Sequence, residues 1–144
     1  MRLLTIFGAL LGMYSAHVIA DCWVVTNLHG YGAMAADNWM FSQDNITNGV
    51  FQISNDGKNS SVVIVGKSLQ GTDLQYVPVN ETTSVGVYSD LELTTVETWS
   101  ITNDKKVLYT KVINSLDNSW SASRSMIGDV VGYCDKSHEN NSSK

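Results

Sequence analysis

Glu97 is the residue in this sequence whose predicted position has the clearest chemical consequence. It lies within an alternating run, Thr94 to Ile101, that is followed by a second run, Lys106 to Ile113. An even-length turn between the runs gathers a mostly apolar set on one face: Glu97, Trp99, Ile101, Leu108, Thr110 and Val112. That face is the expected core, so Glu97 is predicted to be a buried carboxylate.

A carboxylate in a protein interior must be ion-paired, hydrogen-bonded or protonated, because an isolated buried charge is strongly disfavoured. Two interpretations of Glu97 follow. It serves as an acid in a ligand cavity, or it lies near a strand end, where it reaches solvent or pairs with a lysine or Arg124. The second interpretation is the favoured one.

His29 is the only histidine in the part of the chain that is expected to be folded after export. A serine hydrolase needs a histidine held between a nucleophile and a carboxylate, so His29 is the one realistic base. The sequence has no Gly-x-Ser-x-Gly elbow to present a nucleophile and no paired His or Cys spacing typical of zinc sites. Neither a metal nor another cofactor is predicted.

Two segments have the composition of binding loops. In the segment 29–34, two glycines flank Tyr31. This pattern predicts either an exposed aromatic on a loop after a strand or a wide turn with Tyr31 packed on the core. The wide turn is the favoured alternative. The polar segment 115–126 carries Trp120 and Arg124, residue types that are enriched at interface hot spots. Trp120 belongs either to a recognition loop or to a cap over the open end of the barrel.

Trp39, Met40 and Phe41 form a continuous apolar stretch. Such a stretch is either a fully buried strand or an exposed binding surface, and burial is the favoured interpretation.

The elements that must position these residues are short strands separated by turn formers, and no convincing helical apolar stripe occurs. The predicted strands are 22–28, 38–42, 49–54, 61–65, 74–79, 84–89, 94–101, 106–113 and 127–133. Strands at this regular spacing predict an all-β fold, either a small antiparallel β-barrel or a β-sandwich of about eight short strands.

Residues 1–20 have the pattern of a cleaved signal peptide, with a positive start, an apolar run and small residues before the cut. Residues 21–134 are then one β-rich domain, and the polar residues 135–144 are expected to be a disordered tail. The only two cysteines, Cys22 and Cys134, are predicted to form a disulfide that joins the N- and C-terminal strands. Asp21 before Cys22 argues against a lipid anchor.

The net charge of the chain argues against some classes of partner. The chain has 14 acidic and 9 basic residues and a formal net charge of −5, which argues against nucleic acid and anionic membranes. The leading hypothesis is a secreted or periplasmic, non-catalytic protein that binds another protein in the envelope or extracellular space, as enzyme inhibitors and immunity factors do. The alternatives are a carrier with an apolar ligand in a barrel cavity lined by residues such as Trp99 and Leu108, and a small hydrolase.

Overall fold

Regular alternation of inward and outward side chains produces nine β-strands in the computed structural model of this chain, which describes residues 21–46, 48–66 and 74–134. The strands are β1 Asp21–Met34, β2 Phe41–Ile46, β3 Phe51–Asn55, β4 Ser60–Ile64, β5 Gln75–Asn80, β6 Thr83–Ser89, β7 Leu93–Ile101, β8 Lys106–Ser115 and β9 Ala122–Tyr133. One 3₁₀ turn, Ala35–Asp37, follows β1, and the described residues contain no α-helix.

All strand pairs are antiparallel, and the strand order is β4-β3-β1-β9-β8-β7-β6-β5. β2 also pairs with β1, beyond the part of β1 that pairs with β3, so β2 and β3 act as one interrupted strand. The sheet therefore has eight positions and curls into a nearly closed barrel. The all-β prediction is confirmed, and of the two predicted architectures the structure has the barrel.

Among the described residues, side chains and not a backbone ladder join the two ends of the sheet near the disulfide. Ser60 Oγ of β4 donates a hydrogen bond to Ser84 Oγ of β6 at 2.6 Å. Asn55 Nδ2 of β3 donates to the carbonyl oxygen of Asn80, the last residue of β5, at 2.8 Å. Because Asn55 and Ser84 are almost fully buried, these bonds form away from water and hold the seam of the barrel together.

The apolar core fills the half of the barrel nearest the disulfide. Its buried members are Trp23, Val25, Leu28, Phe51, Ile53, Val62, Trp99, Val107, Tyr109 and Met126. The ring of Trp99 packs between Phe51 and Tyr109, with centroid separations of 5.1 and 4.4 Å. Full burial of a large apolar side chain contributes about 1.5–3 kcal/mol, so this cluster supplies much of the folding free energy.

The predicted disulfide is present. Cys22 of β1 is bonded to Cys134, the residue after β9, with their Cα atoms 5.3 Å apart. Since disulfides persist in oxidising compartments, the bridge is consistent with an extracellular or periplasmic protein. The predicted signal peptide, residues 1–20, and the predicted polar tail, residues 135–144, lie outside the described residues. In the described ranges, no helix has the length and apolar character needed to cross a membrane.

The turn between β7 and β8 differs from the prediction. Ile101 pairs with Val107, and Thr102 N donates a hydrogen bond to the carbonyl oxygen of Lys106 at 2.9 Å, which leaves a three-residue loop. Lys105 in that loop has a positive φ of 62°, as expected when an αL residue ends a three-residue hairpin loop.

The odd loop length reverses the predicted face of β8. Lys111, Tyr109 and Val107 share the interior with Glu97 and Trp99, whereas Leu108 lies on the outer face and is 45% exposed. The even-length pairing was therefore wrong, and Leu108 does not line the interior of the barrel.

Candidate functional site

Glu97 lies inside the barrel, and both of its carboxylate oxygens have partners. Oε1 accepts hydrogen bonds from the hydroxyl of Tyr76 and from Trp99 Nε1, the latter at 2.9 Å. Oε2 accepts a hydrogen bond from the hydroxyl of Tyr109 at 3.2 Å and lies 3.2 Å from Lys111 Nζ. These partners lie on β5, β7 and β8, so one carboxylate connects three strands.

The two tyrosines act as neutral hydrogen-bond donors to this carboxylate. Burial, and then the negative charge of Glu97, raise the pKa of Tyr76 and of Tyr109 far above the ordinary value for a phenol. Lys111 supplies the compensating positive charge. The arrangement is that of a satisfied structural network. Of the two forms of the favoured interpretation, the structure has the pairing with a lysine, whereas Glu97 lies in the middle of β7 and does not reach solvent.

A second ion pair joins β2 and β9 inside the barrel. Arg124 Nε lies 3.0 Å from Asp44 Oδ2. Both atoms are buried, yet their alignment does not make a hydrogen bond, so the attraction is mainly one of charge. Gly32 of β1 lies beside them, and a Cβ there would be 3.3 Å from both Arg124 Cγ and Asp44 Oδ2. The glycine provides the room that this pair needs.

His29 lies on β1 and is exposed. Its Nδ1 is hydrogen-bonded to the carbonyl oxygen of Asn27 at 2.8 Å. Within the described part of the chain, its ring makes no hydrogen bond with a serine hydroxyl or a carboxylate. The triad around His29, which one version of the hydrolase hypothesis requires, is therefore not formed among those residues.

The predicted loop 29–34 is instead the second half of β1. Gly30 faces the neighbouring strand so closely that a Cβ would lie 2.0 Å from the carbonyl oxygen of Ser125, which explains the glycine without a hinge. Tyr31 points outward and is 56% exposed. The prediction of a turn with Tyr31 packed on the core was therefore wrong, although Tyr31 is available for binding.

Trp120 and Arg124 lie in different environments. Trp120 is in the loop between β8 and β9 and is 76% exposed, so it does not fill the barrel opening. Arg124 belongs to β9 and points into the barrel toward Asp44. The predicted polar connection 115–126 was thus too long, because β9 begins at Ala122. The start of this strand was missed since its inward side chains include a charged one and a small one, not a run of apolar ones.

Exposed apolar side chains gather at the distal end, meaning the end of the barrel opposite the disulfide. Six large apolar residues there, which we call the rim, are Trp39, Met40, Phe41, Leu91, Leu116 and Trp120. Their exposed fractions run from 51% for Trp39 to 95% for Leu91. A concentration of this kind at one end is typical of an interaction surface, whereas isolated exposed apolar residues are ordinary.

Backbone hydrogen bonds hold the three rim loops, residues 35–40, 90–92 and 116–121, against one another. Ala35 N donates to the carbonyl oxygen of Ser121 at 2.9 Å, and Leu116 N donates to the carbonyl oxygen of Glu92 at 2.8 Å. These bonds follow from strand order, since β1, β9, β8 and β7 are consecutive neighbours. The rim is consequently a continuous surface built from three separate parts of the sequence.

Side-chain caps fix the shape of two of these loops, residues 90–92 and 116–121. Asp90 Oδ1 accepts hydrogen bonds from the backbone N of Glu92 and of Leu93, at 2.8 and 2.7 Å. In the next loop, Ser115 Oγ accepts a hydrogen bond from Trp120 N at 3.0 Å. Loops that are ordered before binding lose less conformational entropy when a partner docks.

A cleft of about 560 Å³ opens between two of the rim loops. It is lined by Asp90, Glu92, Leu93, Ser115, Leu116, Asp117 and Trp120. It therefore combines an apolar surface with three carboxylates.

Only part of this rim could be predicted from the sequence. Trp39, Met40 and Phe41 were expected to be buried, but residues 38–39 have positive φ values and β2 begins only at Phe41. No sequence pattern described above predicts that Leu91 and Leu116 are exposed. The available signal was that each lies next to an aspartate in a turn, where an apolar side chain has no strand face on which to pack.

The chain has no match among protein-family models, curated proteins or solved structures. In the ranges 21–46, 48–66 and 74–134, no group of three or more His, Cys, Asp or Glu side chains is placed to hold a metal ion.

Proposed function

We propose that this chain is a non-catalytic binding protein that acts outside the cytoplasm and docks onto another protein through its rim. The observation that carries the proposal is the gathering of two exposed tryptophans and four other large apolar side chains on three interconnected loops and at the first residue of β2. Tryptophan is among the residue types that contribute most to binding when an interface covers it. The disulfide supports a site of action in an oxidising compartment.

The two ends of the barrel have different roles in this proposal. The disulfide end carries the packed core, the seam and the bridge, which together form the scaffold. The distal end displays the apolar side chains on short capped loops. Substitution of rim side chains should therefore abolish binding and leave folding intact, since these side chains are more than half exposed.

The experiment compares capture of a partner by the wild-type barrel and by matched surface variants. Purified protein would be immobilised and exposed to envelope and extracellular extracts, and the retained proteins identified by mass spectrometry. The rim variant carries Leu116→Ser and Trp120→Ser. The control carries Val79→Ser and Val131→Ser, which change side chains that are 63% and 61% exposed on β5 and β9.

A protein that the wild type and the control retain and the rim variant releases supports the proposal. An equal set of retained proteins for all three forms would refute it. Circular dichroism of each form, at the same temperature, establishes that the variants are folded before the comparison is made.

A further inference from the structure

The rim loops carry negative charge that no cation in those loops offsets. Their carboxylates are Asp37, Asp90, Glu92 and Asp117, and the described loop residues 35–40, 90–92 and 116–121 include no lysine or arginine. Among the residues that the structure describes, two cations lie in the distal half of the barrel, and each is already paired in the interior. Lys111 is paired with Glu97, and Arg124 with Asp44.

Two of the rim carboxylates are held in the ionised form. Hydrogen bonds from the Tyr88 hydroxyl and from the backbone of Glu92 and Leu93 lower the pKa of Asp90 below its ordinary value. Hydrogen bonds from Ser119 lower the pKa of Asp117 in the same way. The rim therefore stays negatively charged through the mildly acidic range as well as at neutral pH.

In the cleft, carboxylates and apolar side chains line the same surface. Glu92 makes no side-chain hydrogen bond or ion pair with any described residue, so its carboxylate is available to a partner. Trp120 and Leu116 line the same cleft. An aromatic ring beside a carboxylate favours a guanidinium or ammonium group, which gains from the ring face and from the charge together.

We propose that the protein partner of the rim presents arginine or lysine next to apolar side chains, and that the cleft between residues 90–92 and 116–121 receives one basic side chain. This inference rests on the proposed function and specifies the chemistry of the partner. The net charge of −5 of the whole chain acts in the same direction, because it speeds the approach of a basic surface.

The test uses two short peptides that differ only in charge, acetyl-Leu-Arg-Leu-Arg-amide and its citrulline counterpart. The folded barrel, labelled with ¹⁵N, is titrated with each peptide. The indole N–H signals of the four tryptophans are followed by NMR, and Trp120→Phe identifies the signal of Trp120. We expect the arginine peptide to shift that signal and to bind about threefold to tenfold more tightly than the citrulline peptide, as one exposed charge contact with an aromatic ring allows.

Matched variants locate the charge that matters. Glu92→Gln should weaken binding of the arginine peptide about threefold, whereas Glu81→Gln, an exposed carboxylate in the turn between β5 and β6, should leave it unchanged. Binding of the arginine peptide should also weaken as salt is raised, since the charges are at the surface. Equal binding of both peptides, no shift of the Trp120 signal, or equal effects of the two variants would each overturn the inference.

Phosphatidylcholine vesicles serve as a further arm of the experiment. If they broaden the signal of Trp120 while neither peptide shifts it, the rim binds a membrane and the inference is wrong. Failure of the inference is also distinguishable from failure of the proposed function. A partner that is lost with the rim variant upholds protein binding even if the peptides do not discriminate by charge.

Discussion

Glu97 and Lys111 face each other across β7 and β8 inside the barrel, with Glu97 Oε2 3.2 Å from Lys111 Nζ. The Glu97 side chain is 5% exposed and the Lys111 side chain 16% exposed, so water screens this pair poorly. β8, the strand of Lys111, also carries an ion pair at the surface, between Lys106 and Asp129 of β9, with side chains that are 48% and 34% exposed. The two pairs allow a direct comparison of buried and exposed charge.

Lys111→Met should destabilise the barrel by about 3 kcal/mol, because it leaves the Glu97 carboxylate buried without a cation. Lys106→Met should destabilise the barrel much less than Lys111→Met, because its ion pair is accessible to solvent. The measurement is the free energy of unfolding from urea titrations at neutral pH. Equal losses in the two variants would show that Lys111 does not compensate a buried charge.

The interior network also illustrates what the sequence can and cannot predict. Alternation in β7 correctly predicts that Glu97 points inward with Trp99. The partner on β8 was misassigned, because the length of the turn decides which face pairs with Glu97, and an αL conformation at Lys105 has no strong local signal without glycine. A change of one residue in the length of the turn would place Thr110, and not Lys111, beside Glu97 inside the barrel.

Alkaline pH should destabilise the fold through Tyr76 and Tyr109. Their pKa values are raised in the folded state, so above about pH 10 the unfolded chain loses phenolic protons that the folded barrel keeps. Their stabilising contribution is therefore complete below pH 10 and declines as pH rises through the raised values. Each tyrosine adds a slope of at most about 1.4 kcal/mol per pH unit.

The measurement is the free energy of unfolding between pH 9 and pH 11, in the wild type and in the double variant Tyr76→Phe and Tyr109→Phe. The variant will be less stable at every pH, since Glu97 loses two donors, so the slopes are compared and not the absolute values. A slope in the variant as steep as in the wild type would contradict the assignment.

Gly30→Ala should destabilise the barrel by about 3 kcal/mol or more, because its Cβ would lie 2.0 Å from the backbone oxygen of Ser125 and would force β1 away from β9. Gly132→Ala is the matched control, since nothing lies within 4 Å of a Cβ at that position in β9. Thermal unfolding compares the two. If the two variants unfold at similar midpoint temperatures, the close approach of β1 to β9 at Gly30 is excluded.

Loss of the disulfide in the double variant Cys22→Ser and Cys134→Ser should reduce stability by roughly 4–5 kcal/mol. The bridge spans 112 residues, and a long loop strongly restricts the unfolded chain. Urea unfolding of the wild type with and without dithiothreitol provides the second measurement. Dithiothreitol should lower the stability of the wild type and leave that of the variant unchanged; an effect on both would point to another cause.

The rim was less predictable than the barrel for a physical reason. Strand periodicity reports which side chains face a core, but Trp39 and Met40 lie in a turn where no such alternation applies. Arg124 was assigned to a loop because the inward positions of β9 near it hold small or charged residues, which conceals a strand among serines. Arg124 lies in the distal half, where the polar interior lacks the apolar contrast on which such predictions depend.

The disulfide has a consequence for the way this barrel can be rearranged. Cys22 and Cys134 are 112 positions apart in sequence but 5.3 Å apart between Cα atoms. A short peptide linker could therefore replace the sulfur bridge and make the chain circular, and the backbone could be reopened at residues 103–104, in the turn between β7 and β8. Such a circular permutant would keep every strand neighbour and leave the rim loops unbroken.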